Sequence, residues 1–136
     1  MELRTILVAD YANVAEGGKP NVMGIFREIY AEQFPARHSD LYLVATLVAS
    51  PAEFEQKRTI MTKLINADAT ETLMQYSQPI TVPKATAGRK AEINTILRVR
   101  DVIFKVPGTY QFSVLVDNDE KGTLAIEVIK TERPKS

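Results

Sequence analysis

Residues 110–129, YQFSVLVDNDEKGTLAIEVI, carry the clearest structural pattern in the chain. Apolar or aromatic side chains occupy every second position from Tyr110 to Val116 and again from Leu124 to Val128. A period of two is that of a β-strand with one face turned toward a core. Residues 118–122, between the two runs, include the turn formers Asn, Asp and Gly. The segment therefore predicts an antiparallel β-hairpin.

Six further strands are predicted upstream, at residues 3–14, 22–31, 41–49, 58–66, 72–82 and 91–102. A cluster of turn formers at 17–21 separates the first two, and a polar link at 37–40 precedes the third. Gly24, inside the second predicted strand, indicates a bulge or a close backbone approach. Residues 50–53, Ser-Pro-Ala-Glu, have the pattern of a capping box with proline at the first helical position, and they predict one helical turn. Residues 83–89 lack periodicity and predict a loop that crosses between sheets.

This arrangement of short strands and turns, without any long segment of helical period, predicts an all-β fold. We expect a two-layer antiparallel β-sandwich of about eight strands, immunoglobulin-like or jelly-roll-like, with one short helical turn. The chain has 136 residues and shows no internal repeat, so a single domain is expected at residues 1–130. Residues 131–136 are expected to form a charged tail.

The composition excludes several classes of function. Lys and Arg number 17, Asp and Glu also number 17, there is one His, and there is no Cys. The lack of cysteine excludes disulfide scaffolds, thiolate metal sites and cysteine nucleophiles, and one histidine cannot form an imidazole cluster. A net charge of zero argues against a nucleic acid as the default partner. We therefore expect no metal, no cofactor and no catalytic residue.

The longest apolar runs fall far short of the roughly 20 residues that span a bilayer, so we expect no membrane partner. The first residues do not have the basic and apolar regions of a signal peptide. The expected location is cytoplasmic.

The sequence resembles known protein families in two ways, one local and one that covers most of the chain. Residues 107–112, Pro-Gly-Thr-Tyr-Gln-Phe, resemble the late strand entry of immunoglobulin-like sandwiches. This resemblance implies that the Tyr110 hydroxyl is hydrogen-bonded to a nearby main-chain group. It implies an architecture and no activity.

The second resemblance covers most of the chain, through residues 10–14, 21–26, 34–36, 41–44, 50–53 and 107–108. Together these stretches look like a family of short uncharacterised bacterial proteins, a domain of unknown function. No catalytic residue is implied by that likeness.

Two candidate sites have simpler structural explanations. His38 and Asp40 could form a general-base pair, but no nucleophile accompanies them, and a solvated loop histidine is the simpler interpretation. Residues 117–122 gather three acids and an Asn, as a calcium loop does. The spacing lacks the bidentate Glu of such a loop, and these residue types are also those of hairpin turns.

Asp10 and Glu28 form the third candidate, because both occur in strands that we expect to be largely buried. If those strands are adjacent, the two acids could converge near Arg27 or Arg4, and a glycosidase needs such a carboxylate pair. The simpler interpretation is that each acid caps a turn or pairs with an arginine.

Charge is segregated along the chain. Residues 84–105 hold six bases and two acids, whereas residues 28–55 hold five acids and one base. The basic stretch supplies the candidate binding residues, which are Lys84, Arg89, Lys90, Arg98 and Arg100. No aromatic residue occurs among them, which argues against stacking on single-stranded nucleic acid. The two stretches are expected to face each other within the fold or across a homodimer.

Three functional hypotheses remain. The first is a non-enzymatic binding or protein-interaction module that presents loops or a sheet edge to a protein partner or to a second copy. The second is a carboxylate-based hydrolase acting on a carbohydrate or phosphate ester through Asp10 and Glu28. The third is anion or nucleic-acid binding through residues 84–105.

Overall fold

Two β-sheets pack against a shared hydrophobic core, which confirms the predicted sandwich. The computed structural model describes residues 1–132. The strands are β1 (Glu2–Val14), β2 (Pro20–Phe26), β3 (Glu28–Ala31), β4 (Ala36–Ala49), β5 (Lys57–Asn66), β6 (Thr72–Thr81), β7 (Ala91–Phe104), β8 (Gly108–Val116) and β9 (Asp119–Lys130). One sheet has the order β2-β1-β4-β7 and the other has the order β3-β9-β8-β5-β6. A single 3₁₀ turn, Pro51–Glu53, follows β4 where the capping box predicts a helical turn.

The predicted strand at 22–31 is wrong, because the chain crosses between the sheets at Arg27. β2 pairs with β1 in the four-stranded sheet, whereas β3 pairs in parallel with β9 in the five-stranded sheet. The alternation of side chains runs unbroken through residues 22–31, so the sequence does not mark the crossing. This split raises the strand count to nine.

The predicted polar link at 37–40 is also wrong, because β4 already begins at Ala36 and pairs with the end of β7. Charged and polar side chains can lie on a strand where their face meets solvent. The loop at 83–89, by contrast, crosses from β6 to β7 and so joins the two sheets as predicted.

The β8–β9 hairpin is confirmed, but its turn is shorter than predicted. Only Asp117 and Asn118 separate the strands, and their φ angles are 49° and 69°. Two consecutive positive φ angles are typical of a type I′ turn, which matches the twist of the strands it joins. At the far end of β9, the amide of Thr131, the first residue of the expected tail, donates to the Ala31 carbonyl at 2.9 Å. Residues 133–136 of that tail lie outside the described residues.

The core is filled by the inward faces of both sheets. Phe112 and Ile126 come from the β8–β9 hairpin, and Leu43 and Leu47 come from β4; all four are at most 2% exposed. The Tyr110 hydroxyl donates to the Val106 carbonyl at 2.6 Å, which confirms the hydrogen bond that the tyrosine resemblance implies.

The tip of the β1–β2 hairpin folds back over the outer face of the four-stranded sheet. The Asn94 side-chain amide on β7 donates to the Gly18 carbonyl in the hairpin turn at 3.2 Å, although β1 and β4 separate β2 from β7. Asn94 also accepts from the Thr46 hydroxyl at 2.8 Å. Val44 and Ala12 are also buried, although neither belongs to the central core cluster.

Candidate functional site

Arg98, one of the predicted binding residues, forms an ion pair within the chain. Its guanidinium binds the Asp40 carboxylate in a bidentate arrangement, with distances of 2.8 and 3.2 Å. The hydrogen bonds from Arg98 lower the pKa of Asp40 below its ordinary value. The guanidinium carbon also lies 5.9 Å from the centre of the Tyr42 ring. This pair joins the basic and acidic stretches across the β4–β7 ladder, as their opposite charge predicts.

Two more of the predicted bases have carboxylate partners. The Lys84 ammonium lies 3.6 Å from Glu55, and the Lys90 ammonium lies 3.9 Å from Glu2. All four side chains are largely exposed, and such pairs contribute little to stability. The basic stretch is therefore not a continuous positive surface.

His38 lies on β4 and not in a loop, and its ring centre is 5.9 Å from that of Phe26. The carboxylate of Asp40 is turned to Arg98. The expected solvated loop histidine is therefore a partly buried strand residue that packs against an aromatic ring.

Asp10 and Glu28 lie in different sheets, on β1 and β3. Both are exposed, so the expectation that they occupy buried positions is wrong. Their strands form opposite layers of the sandwich, and the shallow recess at Glu28 is not lined by Asp10. The structure does not bring this candidate carboxylate pair together, and the hydrolase hypothesis stays a prediction without a site.

Two of the three acids in residues 117–122 have partners within the fold. Asp117 accepts from the Thr59 amide at 2.9 Å and pairs with Arg58 at 3.5 Å. Asp119 pairs with Lys121 at 2.7 Å, which lowers the pKa of that carboxyl. Within residues 1–132, no three Asp, Glu, His or Cys side chains are grouped as a metal site requires.

A groove runs along the open side of the sandwich, where the edge strands β6 and β7 face each other. Its volume is about 530 Å³. We call it the β6–β7 groove; it is lined by Glu71, Thr72, Leu73, Met74, Gln75, Val99, Arg100, Asp101, Val102, Ile103 and Lys105. The lining is apolar toward the core, because Leu73 and Met74 pack against the central cluster.

Three of the four charged groups in the β6–β7 groove are paired. Glu71 and Lys105 join its two walls at 2.7 Å, and Asp101 binds Arg37 at 3.2 Å. Among residues 1–132, no carboxylate lies within 4 Å of the Arg100 guanidinium. Arg100 is thus the predicted binding residue that lines the groove without a salt bridge, although it lies opposite Asp40 in the β4–β7 register and its charge helps to lower the pKa of that carboxyl.

A second surface lies at the opposite side of the sandwich. We call it the β2–β3 patch; it comprises Tyr11, Met23, Ile25 and Tyr30, which are between 45% and 67% exposed. Tyr11 and Met23 face each other in the β1–β2 register, and Ile25 and Tyr30 line one shallow recess. The Tyr11 ring also makes an edge contact with the ring of Tyr42, with the ring centres 5.2 Å apart.

The residue pattern predicts neither surface. The alternation of residues 22–31 indicates a strand with two apolar faces, which is typical of burial on both sides. An edge strand that leaves one apolar face in solvent has the same pattern. The β6–β7 groove depends on the order of strands in each sheet, and the residue pattern does not predict that order.

A comparison with protein-family models identifies the family of this chain. Residues 4–129 match the model of a family described as "Family of unknown function (DUF6941)". A search of curated proteins finds no match. Among the residues that the structure describes, no helix is both long enough and apolar enough to cross a membrane.

Two solved structures are similar in shape. One is the Pseudomonas fluorescens alkylpurine DNA glycosylase AlkC bound to DNA containing an abasic site analog. It is 14% identical with a TM-score of 0.53, and the match covers 94% of this chain and 30% of the glycosylase. The other is a glycosyl hydrolase family 2 member from Bacteroides cellulosilyticus, 16% identical with a TM-score of 0.43, covering 68% of this chain and 13% of the hydrolase. This chain thus spans less than a third of either protein, and the first likeness concerns the fold alone.

Proposed function

Because the chain belongs to DUF6941, a family of unknown function, we propose from its own surface that it is a non-enzymatic protein-interaction module. Its β6–β7 groove binds an extended segment of another protein. The observation that carries this proposal is the groove itself, in which two edge strands from opposite sheets leave apolar side chains accessible beside an arginine that forms no salt bridge among residues 1–132. A cytoplasmic location and an immunoglobulin-like strand arrangement also stay proposals.

The receptive wall of the groove is β6. Edge strands are usually protected from pairing by charged residues, prolines or bulges. β6 carries no charged residue, and its first proline is Pro79, so residues 72–78 offer an unprotected edge. β7 has charged side chains and a φ of 52° at Asp101, which interrupts its alternation. A peptide strand therefore adds to β6, through main-chain hydrogen bonds and apolar side chains at alternate positions.

The charge of the groove selects the ligand. Arg100 is the one charged residue of the lining that has no carboxylate within 4 Å among residues 1–132, and it acts electrostatically on the more distant Asp40. A carboxylate on the bound segment pairs with the Arg100 guanidinium through charge-assisted hydrogen bonds. The expected ligand is an extended, mainly apolar segment with one acidic side chain.

Two nine-residue peptides of alternating valine and threonine test this proposal, one with a central aspartate and one with a central lysine. Binding is measured by fluorescence anisotropy of a dye on the peptide. We expect the aspartate peptide to bind the wild-type chain more tightly, by about tenfold or more. Arg100→Glu should reverse that order.

Arg89→Glu is the matched control, because Arg89 is an exposed base in the loop before β7 and is not part of the groove. It should leave both affinities unchanged. Equal binding of the two peptides to wild type, or no change with Arg100→Glu, would show that the groove does not read an acidic segment.

A further inference from the structure

The exposed apolar side chains of this protein are concentrated on one short segment. Eight large hydrophobic residues are exposed in the described part of the chain. Five of them, Tyr11, Val14, Met23, Ile25 and Tyr30, lie between residues 11 and 30. Four of these five form the β2–β3 patch. Exposed apolar surface that is contiguous in this way marks an interaction site.

The charges beside the β2–β3 patch have opposite signs and lie next to each other. Arg27 and Glu28 occupy the crossing between β2 and β3 and line the same recess as Ile25 and Tyr30. Among residues 1–132, no carboxylate lies within 4 Å of the Arg27 guanidinium. Glu28 accepts a hydrogen bond from the Tyr30 hydroxyl at 3.2 Å.

The environment of Glu28 favours a cation from outside the chain. In the parallel pairing of β3 with β9, Glu28 lies opposite Glu127, so two acidic residues occupy neighbouring positions along this edge. Like charges opposite each other in a sheet are unfavourable. An arginine brought by a partner would offset this repulsion.

We propose that the β2–β3 patch is the interface of a homodimer, in which Arg27 of each copy pairs with Glu28 of the other. A two-fold interface brings the same surface together from both copies, so each contact occurs twice with the roles exchanged. Adjacent unpaired charges of opposite sign beside an apolar centre are complementary to themselves under that symmetry. β2 carries no charged residue, so its edge does not repel a second copy.

The proposal goes beyond peptide binding in the β6–β7 groove. β2 and β7 are the opposite edges of the four-stranded sheet. A dimer joined through β2 and β3 therefore leaves both grooves free at its two ends. Such a dimer presents two peptide sites, and it can gain avidity for a partner that carries two segments.

Sedimentation velocity over a range of protein concentrations tests this interface. The wild-type chain is expected to sediment with twice the 15.2 kDa mass of one chain at high concentration. Ile25→Lys, at a position that is 61% exposed, should weaken the dimer by about tenfold or more. Val106→Lys is the matched control, because Val106 is 60% exposed and lies outside the patch.

Charge exchange provides the second test. Arg27→Glu and Glu28→Arg should each weaken the dimer, because each places like charges across the two-fold axis. The double variant should restore it. A wild-type chain that stays monomeric at all concentrations overturns the proposal, and so does a dimer that responds equally to Ile25→Lys and Val106→Lys. Peptide binding by a monomer would leave the groove proposal intact, so the two proposals fail separately.

Discussion

Replacing Gly24 by alanine tests how the β1–β2 hairpin is held. Gly24 has a φ of 73°, a conformation that favours glycine. A Cβ atom at this position would lie 2.5 Å from Oδ2, 3.0 Å from Cγ and 3.1 Å from Cβ of Asp10. A rotation of the Asp10 side chain relieves the contact with its carboxylate, but the β1 backbone fixes its Cβ atom. Gly24→Ala must therefore shift β1 or β2.

Comparison with Gly88→Ala separates the backbone contribution to the loss of stability from the steric one. Gly88 has a φ of 76°, and an added Cβ would meet nothing within 4 Å. Gly88→Ala thus carries only the cost of the left-handed backbone, about 1–2 kcal/mol. Gly24→Ala carries a similar backbone cost and, for the crowding against Asp10, about 1–2 kcal/mol more.

Urea unfolding of both variants and of wild type measures the difference. With a slope of about 2 kcal/mol per molar urea, the extra cost lowers the midpoint of Gly24→Ala below that of Gly88→Ala by roughly 0.5–1 M. Adding Asp10→Ala to Gly24→Ala should recover part of that difference, because it removes the two nearest atoms. Equal midpoints for the two glycine variants would show that contact with Asp10 does not limit the residue at position 24.

Two further predictions concern hydrogen bonds in the fold. Tyr110→Phe removes the 2.6 Å hydrogen bond to the Val106 carbonyl and should lower the free energy of unfolding by about 1 kcal/mol in a denaturation assay. Tyr76→Phe, at an exposed position, should change that free energy little in the same assay. The terminal α-amino group, at 2.7 Å, and the Ser50 amide, at 3.0 Å, lower the pKa of Glu53 below its ordinary value. A carboxyl with a lowered folded-state pKa contributes stability above its unfolded pKa, about 4.3, and loses it as the pH falls through the folded value. Glu53→Gln should therefore flatten the loss of stability below about pH 4.3, and an unchanged pH profile of the melting temperature would contradict this assignment.

Local patterns in the sequence predict local structure well in this protein. The alternation of residues 110–129 predicts the β8–β9 hairpin, and the motif at residues 107–112 implies the hydrogen bond of Tyr110. The capping pattern at residues 50–53 predicts the 3₁₀ turn. Each of these features is decided by neighbours in the chain, so a single sequence contains the information.

Features that depend on strand order are not predicted. The crossing at Arg27 separates β2 from β3 without any turn residue, and only the parallel contact with β9 distinguishes the two strands. The partners of the basic residues also depend on pairing, because Arg98 meets Asp40 across the β4–β7 ladder. The segregation of charge predicts that such pairs form, but it does not predict that Arg100 lines a groove without a salt bridge.

We propose above all that this chain binds an extended segment by strand addition in the β6–β7 groove. The sharpest test is hydrogen exchange of the β6 amides, measured before and after the aspartate peptide is added. Strand addition forms new main-chain hydrogen bonds along the open edge of β6. We expect slower exchange within residues 72–78 and unchanged exchange within residues 20–26 of the opposite edge. Peptide binding that leaves exchange in residues 72–78 unaltered would contradict it.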